Sequence, residues 1–187
     1  SEDEPILPSF LAETISDYYF QKNPYRLHEI IWANKTSGVN NTSITKYMGG
    51  LYQNIIVYNN FIPVFDKKFV SPLSDNGDNY YNYRLADTQR VAGRKLLHLI
   101  FIPKRGGENT FTGDCWVHDS TFAIQKMSLH VGKEANINFL DELSIVQEFK
   151  MINDSTWFLT KDKFIVSLAP MGEKAPGVIA RKTTSYD

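Results

Sequence analysis

The chain has few of the residues that hold metals or build disulfide frameworks. One cysteine among 187 residues excludes an internal disulfide. The histidines show no metal-ligand spacing, such as a pair four residues apart on a helix. They are His28, His98, His118 and His130. No stretch of about 18 or more consecutive apolar residues occurs, so no segment is predicted to cross a bilayer as a helix. We therefore expect neither a metal site nor a cofactor.

The chain also lacks a surplus of charge of either sign. It has 20 Lys and Arg against 21 Asp and Glu, which gives a formal net charge of −1. Nucleic-acid-binding domains usually carry a basic surplus, because much of their affinity comes from neutralising phosphates. The charge balance therefore argues against a nucleic-acid partner and indicates no other partner.

Aromatic residues, by contrast, are abundant, with 12 Phe, 10 Tyr and 3 Trp. Large aromatic side chains favour β-strands, because they fit a pleated and half-buried surface. The chain begins without Met, on the residues SEDE. We interpret it as part of a longer protein, whose export signal would lie outside this sequence.

The first 56 residues are predicted to be largely helical. Apolar residues recur at helical spacing over residues 8–22, 25–35 and 43–56. Pro24 separates the first two segments, and a polar loop at about 34–41 separates the second from the third. Three N-terminal helices are the expectation.

From residue 57 onward the hydrophobic pattern changes to that of short strands. Strands are predicted at 81–88, 95–102, 110–119, 122–131, 143–152, 156–168 and 178–183. Short polar turns between them indicate an antiparallel meander rather than βαβ units. Residues 96–102 are apolar in both strand phases except at His98, so this strand is predicted to be central and covered on both faces.

Helices followed by strands are the pattern of an α+β protein. We predict a single domain over residues 1–187, with a helical part at about 8–56 and an antiparallel sheet at about 57–183. The sheet is expected to curve around the helices as a half-barrel.

The stretch GDCWVHD at residues 113–119 contains the thiol, imidazole and carboxylate of a cysteine hydrolase. In a strand, successive side chains alternate between faces and each residue advances about 3.3 Å. Cys115 and His118 would then face opposite sides, roughly 10 Å apart, whereas a nucleophile and its base need hydrogen-bond contact. We predict that Cys115 is a small buried side chain; only a histidine from another strand, such as His98, could serve as its base.

Three stretches resemble an uncharacterised family of Bacteroidetes cell-envelope proteins. They are FVSPLSDN (69–76), YRLADT (83–88), and FIPK (101–104) together with the segment 111–124. Typical members join a carboxypeptidase-regulatory-like β-sandwich, a middle region like this chain and an outer-membrane β-barrel. The resemblance implies a location on the periplasmic side of the outer membrane. It also implies that the partners include neighbouring domains of the same chain, the β-barrel among them.

The predicted hairpins are also similar to the lipoprotein-carrier (LolA-like) half-barrels. The stretches that carry this similarity are FTG (111–113), WV (116–117), FAI (122–124) and WFL (157–159). In that family a curved antiparallel sheet wraps helices and shelters an acyl chain. The similarity implies the same fold and, by analogy, a hydrophobic ligand or a lipoprotein as partner.

The leading functional hypothesis is a non-enzymatic periplasmic module of an outer-membrane-associated protein, which binds or positions a hydrophobic ligand or partner. The candidate ligand surface is the concave face of the sheet beneath the helices. Its candidate residues are Tyr18, Tyr19, Phe101, Trp116, Phe122 and Trp157. The same aromatic residues could instead fill the core, as buried aromatic side chains commonly do.

Two other hypotheses stay open. The alternative is a pure scaffold or protein-interaction domain without a ligand, which a filled interior would favour. A hydrolase is less favoured, because no nucleophile, base and orienting group are assembled by the sequence, and no catalytic residue is assigned. The basic residues Arg84, Arg94 and Lys95 are interpreted as solvent-facing or ion-paired across strands, without a functional role.

Overall fold

The computed structural model describes residues 10–21, 23–24, 26–38, 55–135, 137–153, 156–169 and 177–187. The chain divides into two compact units, Ser1–Tyr47 and Met48–Asp187. Across the described ranges, no helix is both long and apolar enough to span a membrane.

The first unit is built around a long β-hairpin. Strand β1 (Phe10–Gln21) pairs antiparallel with β2 (Arg26–Gly38) along the full length of both strands. Isoleucine, threonine and aromatic residues are frequent in both, as is typical of strands. The register shifts between Ile15 and Ser16, where Trp32 is the extra residue of a β-bulge on β2.

The predicted helices at 8–22 and 25–35 are wrong, and so is the α+β fold class of a half-barrel sheet wrapped around N-terminal helices. The described residues of both segments are strands, and the structure is nearly all β. Because the hairpin carries apolar side chains on both faces, its sequence lacks the apolar–polar alternation of a half-buried strand. Its apolar residues therefore also match the three- and four-residue spacing of a helix. The predicted third helix, at 43–56, lies outside the described residues except for its last two, which are not helical.

The second unit begins with a small hairpin and a single helical turn. Strand β3 (Phe61–Val64) pairs antiparallel with β4 (Lys67–Val70). Helix α1 (Gly77–Tyr80) follows and leads directly into the main sheet. Strands β3 and β4 pack against one face of the main sheet, where Phe69 contacts Phe111.

Seven strands form the main antiparallel sheet. They are β5 (Tyr81–Val91), β6 (Arg94–Pro103), β7 (Thr112–His118), β8 (Ile124–Gly132), β9 (Leu140–Asn153), β10 (Thr156–Leu168) and β11 (Val178–Ser185). Each strand lies beside its neighbours in the chain, so the order across the sheet is β11-β10-β9-β8-β7-β6-β5. The predicted antiparallel meander is therefore confirmed.

The core of the second unit lies between one face of this sheet and the segment 55–71. Gln147 Nε2 donates a hydrogen bond to the carbonyl of Ile55 (2.9 Å), and Ser71 Oγ donates to the carbonyl of Val57 (2.7 Å). The largest buried apolar side chains of this core include Val57, Ile62, Phe69, Phe111, Met127, Leu129, Leu143 and Ile145. The sheet face that was expected to enclose helices is thus packed against β3, β4 and their flanking residues.

Strand β6 is not central, contrary to the prediction from its apolar sequence. It is the second strand from the β5 edge of the sheet. Leu99 lies opposite Cys115, on the core face, whereas Ile100 lies opposite Asp114 and faces the other way. Both side chains are only partly buried. The uninterrupted apolar run therefore does not mark a strand buried on both faces.

This difference between the faces can be tested with one charge placed on either side of β6. We expect Leu99→Lys to lower the free energy of unfolding by about 2 kcal/mol, because it places a charge at a partly buried position beside Cys115 on the core face. Ile100→Lys should cost about 1 kcal/mol or less, because this side chain lies between Arg84 and Asp114. These three residues are on the face of the sheet opposite the core, which we call the open face. Urea denaturation followed by circular dichroism measures both values, and equal losses would contradict the assignment of the faces.

Candidate functional site

Cys115 is a core residue, as the strand geometry predicted. Its side chain is 3% exposed and lies in the same row of the sheet as Met127 and Gln147. Burial, together with the negative charge of Asp114, raises the pKa of the thiol to about 12. The thiol therefore stays protonated at neutral pH, whereas a nucleophilic cysteine needs a thiolate.

His98, the histidine from another strand that could serve as a base for Cys115, lies on the open face of the sheet, away from the thiol. His98 Nε2 is 2.9 Å from Asp114 Oδ2, and its ring stacks on Trp116 with centroids 4.5 Å apart and planes 4° apart. Trp116 and Asp114 are the chain neighbours of Cys115, so their side chains point away from the core. His98 therefore contacts Asp114 and Trp116 on the open face, and its ring does not face the thiol of Cys115.

Four of the six predicted ligand-binding residues belong to the second unit, and they do not share one surface. Phe101 is fully buried in the core, where its ring packs edge-on against Tyr81 with centroids 5.9 Å apart. Trp116 lies on the opposite face, in the cluster with His98. Phe122 is 72% exposed in the turn between β7 and β8.

The remaining three predicted residues lie on two further surfaces. Trp157 lines a pocket in the second unit. Tyr18 and Tyr19 belong to the hairpin of the first unit. The expected concave site beneath helices is thus divided among a core, an open face, a turn, a pocket and a hairpin.

The turn end of the hairpin carries a cluster of exposed apolar side chains, which we call the hairpin tip. It consists of Tyr18, Tyr19, Phe20 and Leu27, which are between 40% and 56% exposed. Phe20 lies opposite Leu27 on one face, together with Tyr18, and Tyr19 lies opposite His28 on the other face. The tip therefore presents Tyr18, Phe20 and Leu27 on one face and Tyr19 on the other.

The end of the hairpin away from its tip carries charged and polar pairs, and we call it the polar stem. Glu13 lies opposite Lys35 and Thr14 opposite Asn34 near the chain ends of the two strands. At the tip, Glu29 lies opposite Tyr18. Exposed apolar residues continue along the hairpin at Leu11, Ile15, Ile30, Ile31 and Trp32. The tip therefore differs from the stem in its aromatic side chains.

A pocket of about 390 Å³ lies at one end of the main sheet. The turns that join β5 to β6, β7 to β8, and β9 to β10 all lie at this end, because alternate turns of a meander share one edge. The lining residues are Arg90, Gly93, Arg94, Lys95, His118, Asp119, Ser120, Thr121, Met151 and Trp157. Arg94 and Lys95 carry no predicted functional role, and Arg90 is not among the predicted site residues.

The described residues contain no cluster of three or more His, Cys, Asp or Glu side chains that could hold a metal ion. The candidate binding features of the described residues are the exposed hairpin tip and the pocket at the turn end of the main sheet. Both belong to a protein of the all-β class, with an antiparallel meander and a separate long hairpin.

The chain belongs to the family of unknown function DUF5686, whose model matches residues 2–186. This family is the part of the predicted resemblance that is confirmed. No curated protein and no solved structure matches the chain.

Proposed function

We propose that this chain is a non-enzymatic module of a cell-envelope protein and that its hairpin tip attaches it to the surface of a phospholipid bilayer. One observation carries the proposal: Tyr18, Tyr19, Phe20 and Leu27 are exposed on both faces at the same end of the hairpin. The ligand of the module is thus a hydrophobic surface rather than a molecule enclosed by the sheet.

The distribution of apolar side chains over both faces favours a bilayer over a flat protein surface. A hairpin docked on a protein surface buries one face and leaves the other in water, so its apolar residues alternate along each strand. A tip immersed in the interfacial region of a bilayer is surrounded by apolar material and needs apolar side chains on both faces. Tyrosine is enriched at that depth, because its ring is apolar and its hydroxyl reaches water and headgroups.

The charged residues of the hairpin fit a shallow insertion. Arg26 follows the turn, beside the tip, where its guanidinium group can reach lipid phosphates as a long side chain does at a membrane interface. Glu29 within the hairpin accepts a hydrogen bond from Ser16 Oγ (2.6 Å). The polar stem, with Glu13 opposite Lys35, would remain in water. The aromatic side chains at the turn end and the one charged pair at the stem set the direction of insertion.

The location of the module is part of the same proposal. The resemblance of the stretches 69–76, 83–88, 101–104 and 111–124 to Bacteroidetes cell-envelope proteins supports a position on the periplasmic side of the outer membrane. It also supports a longer protein in which a carboxypeptidase-regulatory-like domain and an outer-membrane β-barrel are neighbours of this region. A hairpin that binds the bilayer would orient the module relative to such a barrel.

The packing of the second unit argues against an enclosed acyl chain and against a cysteine hydrolase. The core face of the sheet is occupied by Val57, Ile62 and Phe69. Cys115 is buried with a raised pKa. These observations support a binding or positioning role without an enzymatic step.

Removing the aromatic rings of the tip should strongly weaken membrane binding. We expect the variant Tyr18→Ser, Tyr19→Ser, Phe20→Ser to bind phospholipid vesicles about 100-fold more weakly than the native chain, because each half-exposed ring contributes about 1 kcal/mol when it leaves water. Co-sedimentation with vesicles of phosphatidylethanolamine and phosphatidylglycerol measures the binding.

A matched control removes a similar apolar area from the second unit. Phe61, Ile102 and Ile179 are also about half exposed, and their triple serine variant should bind vesicles as the native chain does. Equal weakening of the two variants, or no binding by the native chain, would contradict the proposal. A dimer in sedimentation experiments that only the tip variant abolishes would instead assign the tip to a second copy of the chain.

A further inference from the structure

We propose that binding of the hairpin tip to a bilayer is coupled to protonation of Glu29, so that the module binds more tightly in acid than at neutral pH. This inference rests on the proposed function, because it concerns the same hairpin and adds the group that regulates it. Two observations carry it. Glu29 is the single charged side chain on one face of the described hairpin, and it lies directly opposite Tyr18.

The two faces of the hairpin differ in charge. Side chains alternate between faces along a strand and directly opposed residues share a face, so each paired residue of β1 and β2 lies on the same face as either Tyr18 or Tyr19. We call these the Tyr18 face and the Tyr19 face. All the other Asp, Glu, Lys, Arg and His side chains of the two strands are on the Tyr19 face, and they are Glu13, Asp17, Arg26, His28 and Lys35. Glu29 is therefore the one formal charge on the Tyr18 face within the described ranges.

The neighbours of Glu29 on the Tyr18 face are uncharged. Phe20 and Leu27 lie next to it toward the turn, and Ile31, which is 58% exposed, follows it along β2. Tyrosine is the only other ionisable residue type on this face, and it carries no charge between about pH 5 and pH 8. Ser16 Oγ donates a hydrogen bond to Glu29 Oε1 (2.6 Å). Among the described residues, no cation lies within ion-pair distance of the carboxylate, so its charge is not compensated.

Insertion of the tip brings this carboxylate out of water. Directly opposed side chains have their Cβ atoms about 4.5–5.5 Å apart, so Glu29 enters the interfacial region at the same depth as Tyr18. Removing an ionised carboxylate from water costs far more than removing a neutral carboxyl group, and an unpaired charge is neutralised instead. The bound state therefore favours the protonated form. Binding takes up one proton at Glu29, is strongest in acid and weakens as the pH rises.

The other titratable groups of the hairpin predict a different sign or a different position. His28, on the Tyr19 face, gains a positive charge in acid, and a cation opposes entry into an uncharged bilayer. Its titration would therefore weaken binding in acid, whereas that of Glu29 strengthens it. Asp17 titrates in the same direction as Glu29, but it lies opposite Ile30 on the Tyr19 face, one pair further from the turn. The direction of the pH effect and a comparison with Asp17 thus identify the group.

Co-sedimentation with phosphatidylcholine vesicles tests the coupling, because the net charge of this headgroup is the same in weak acid and at neutral pH. Binding is measured at about pH 5 and about pH 7.5, on either side of the range in which a carboxyl group that leaves water titrates. We expect the native chain to bind at least about 10-fold more tightly at the lower pH, since one proton permits up to about 10-fold per pH unit. Glu29→Gln should bind equally at both pH values. At the higher pH it should bind more tightly than the native chain, because its neutral amide needs no proton.

Two variants that remove a carboxylate from the Tyr19 face are matched controls. Asp17→Asn and Glu13→Gln should keep the pH dependence of the native chain. A third variant, Ser16→Ala, removes the donor that stabilises the ionised form of Glu29. Its binding should therefore begin to rise at a higher pH than that of the native chain.

The outcomes separate this inference from the proposed function. Equal affinity of the native chain at the two pH values would overturn the inference and leave insertion of the tip standing. The native pH dependence in Glu29→Gln, or its loss in Asp17→Asn, would assign the proton to another group and overturn the inference as well. No binding of these vesicles at either pH would also overturn it, and the vesicles of phosphatidylethanolamine and phosphatidylglycerol then decide separately whether the tip inserts. The comparison of Glu29→Gln with the native chain at neutral pH does not depend on the stability of the chain in acid.

Discussion

The variant Gly113→Ala is expected to lose the fold of the main sheet. A Cβ atom at Gly113 would lie 2.0 Å from the backbone oxygen of Ser128 and 3.0 Å from Cζ of Phe101. The first of these atoms belongs to the backbone of β8, the strand in which Leu129 lies directly opposite Gly113. Strands β7 and β8 would have to separate locally to admit one methyl group. We expect a cost of about 3 kcal/mol or more, at the upper end of what overpacking costs, because the clash is with backbone.

Thermal and urea denaturation followed by circular dichroism measure this loss. Gly106→Ala is the matched control, because a Cβ atom at Gly106 meets no atom within 4 Å, and it should unfold as the native chain does. If Gly113→Ala lowered the free energy of unfolding by less than about 1 kcal/mol, the close pairing of β7 and β8 at this position would be wrong.

Cys115→Asp is expected to prevent folding of the second unit. The side chain at this position is almost completely buried among core residues such as Met127. A carboxylate there would be an unpaired buried charge, whose cost exceeds the stability of most domains of this size. Cys115→Ala, in contrast, should cost only about 1 kcal/mol, because it deletes one small group from the core.

The native thiol provides an independent measurement of the same burial. We expect Cys115 to react with a thiol reagent at neutral pH only as fast as the second unit opens, and to react rapidly in urea, because the raised pKa and the surrounding core protect the thiol. Rapid reaction in the native chain, or a soluble folded Cys115→Asp variant, would contradict the core position of this residue.

The strands from residue 81 onward could be predicted because their side chains alternate and polar turns separate them. The position of Cys115 followed from the same alternation, since three residues along a strand reverse the face. The hairpin was assigned to helices because residues such as Ile15, Tyr18 and Tyr19 satisfy helical spacing and both faces are apolar. Only pairing with a second strand, which no local pattern reveals, distinguishes the two structures.

The pocket at the turn end of the main sheet could not be predicted because its residues come from three separate turns. His118 and Trp157 are far apart in the chain and meet only when β6 to β10 are in register.

The central claim, that the hairpin tip enters the interface of a bilayer, is tested most directly by a fluorescent reporter at the tip. Phe20 and Phe61 are both 56% exposed, one in the hairpin tip and the other on β3, so Phe20→Trp and Phe61→Trp are matched reporters. Each is mixed with vesicles whose acyl chains carry bromine, which quenches tryptophan on contact. Relative to the native chain, we expect added quenching for Phe20→Trp and none for Phe61→Trp. Equal quenching of the two reporters, or none for Phe20→Trp, would contradict insertion of the tip.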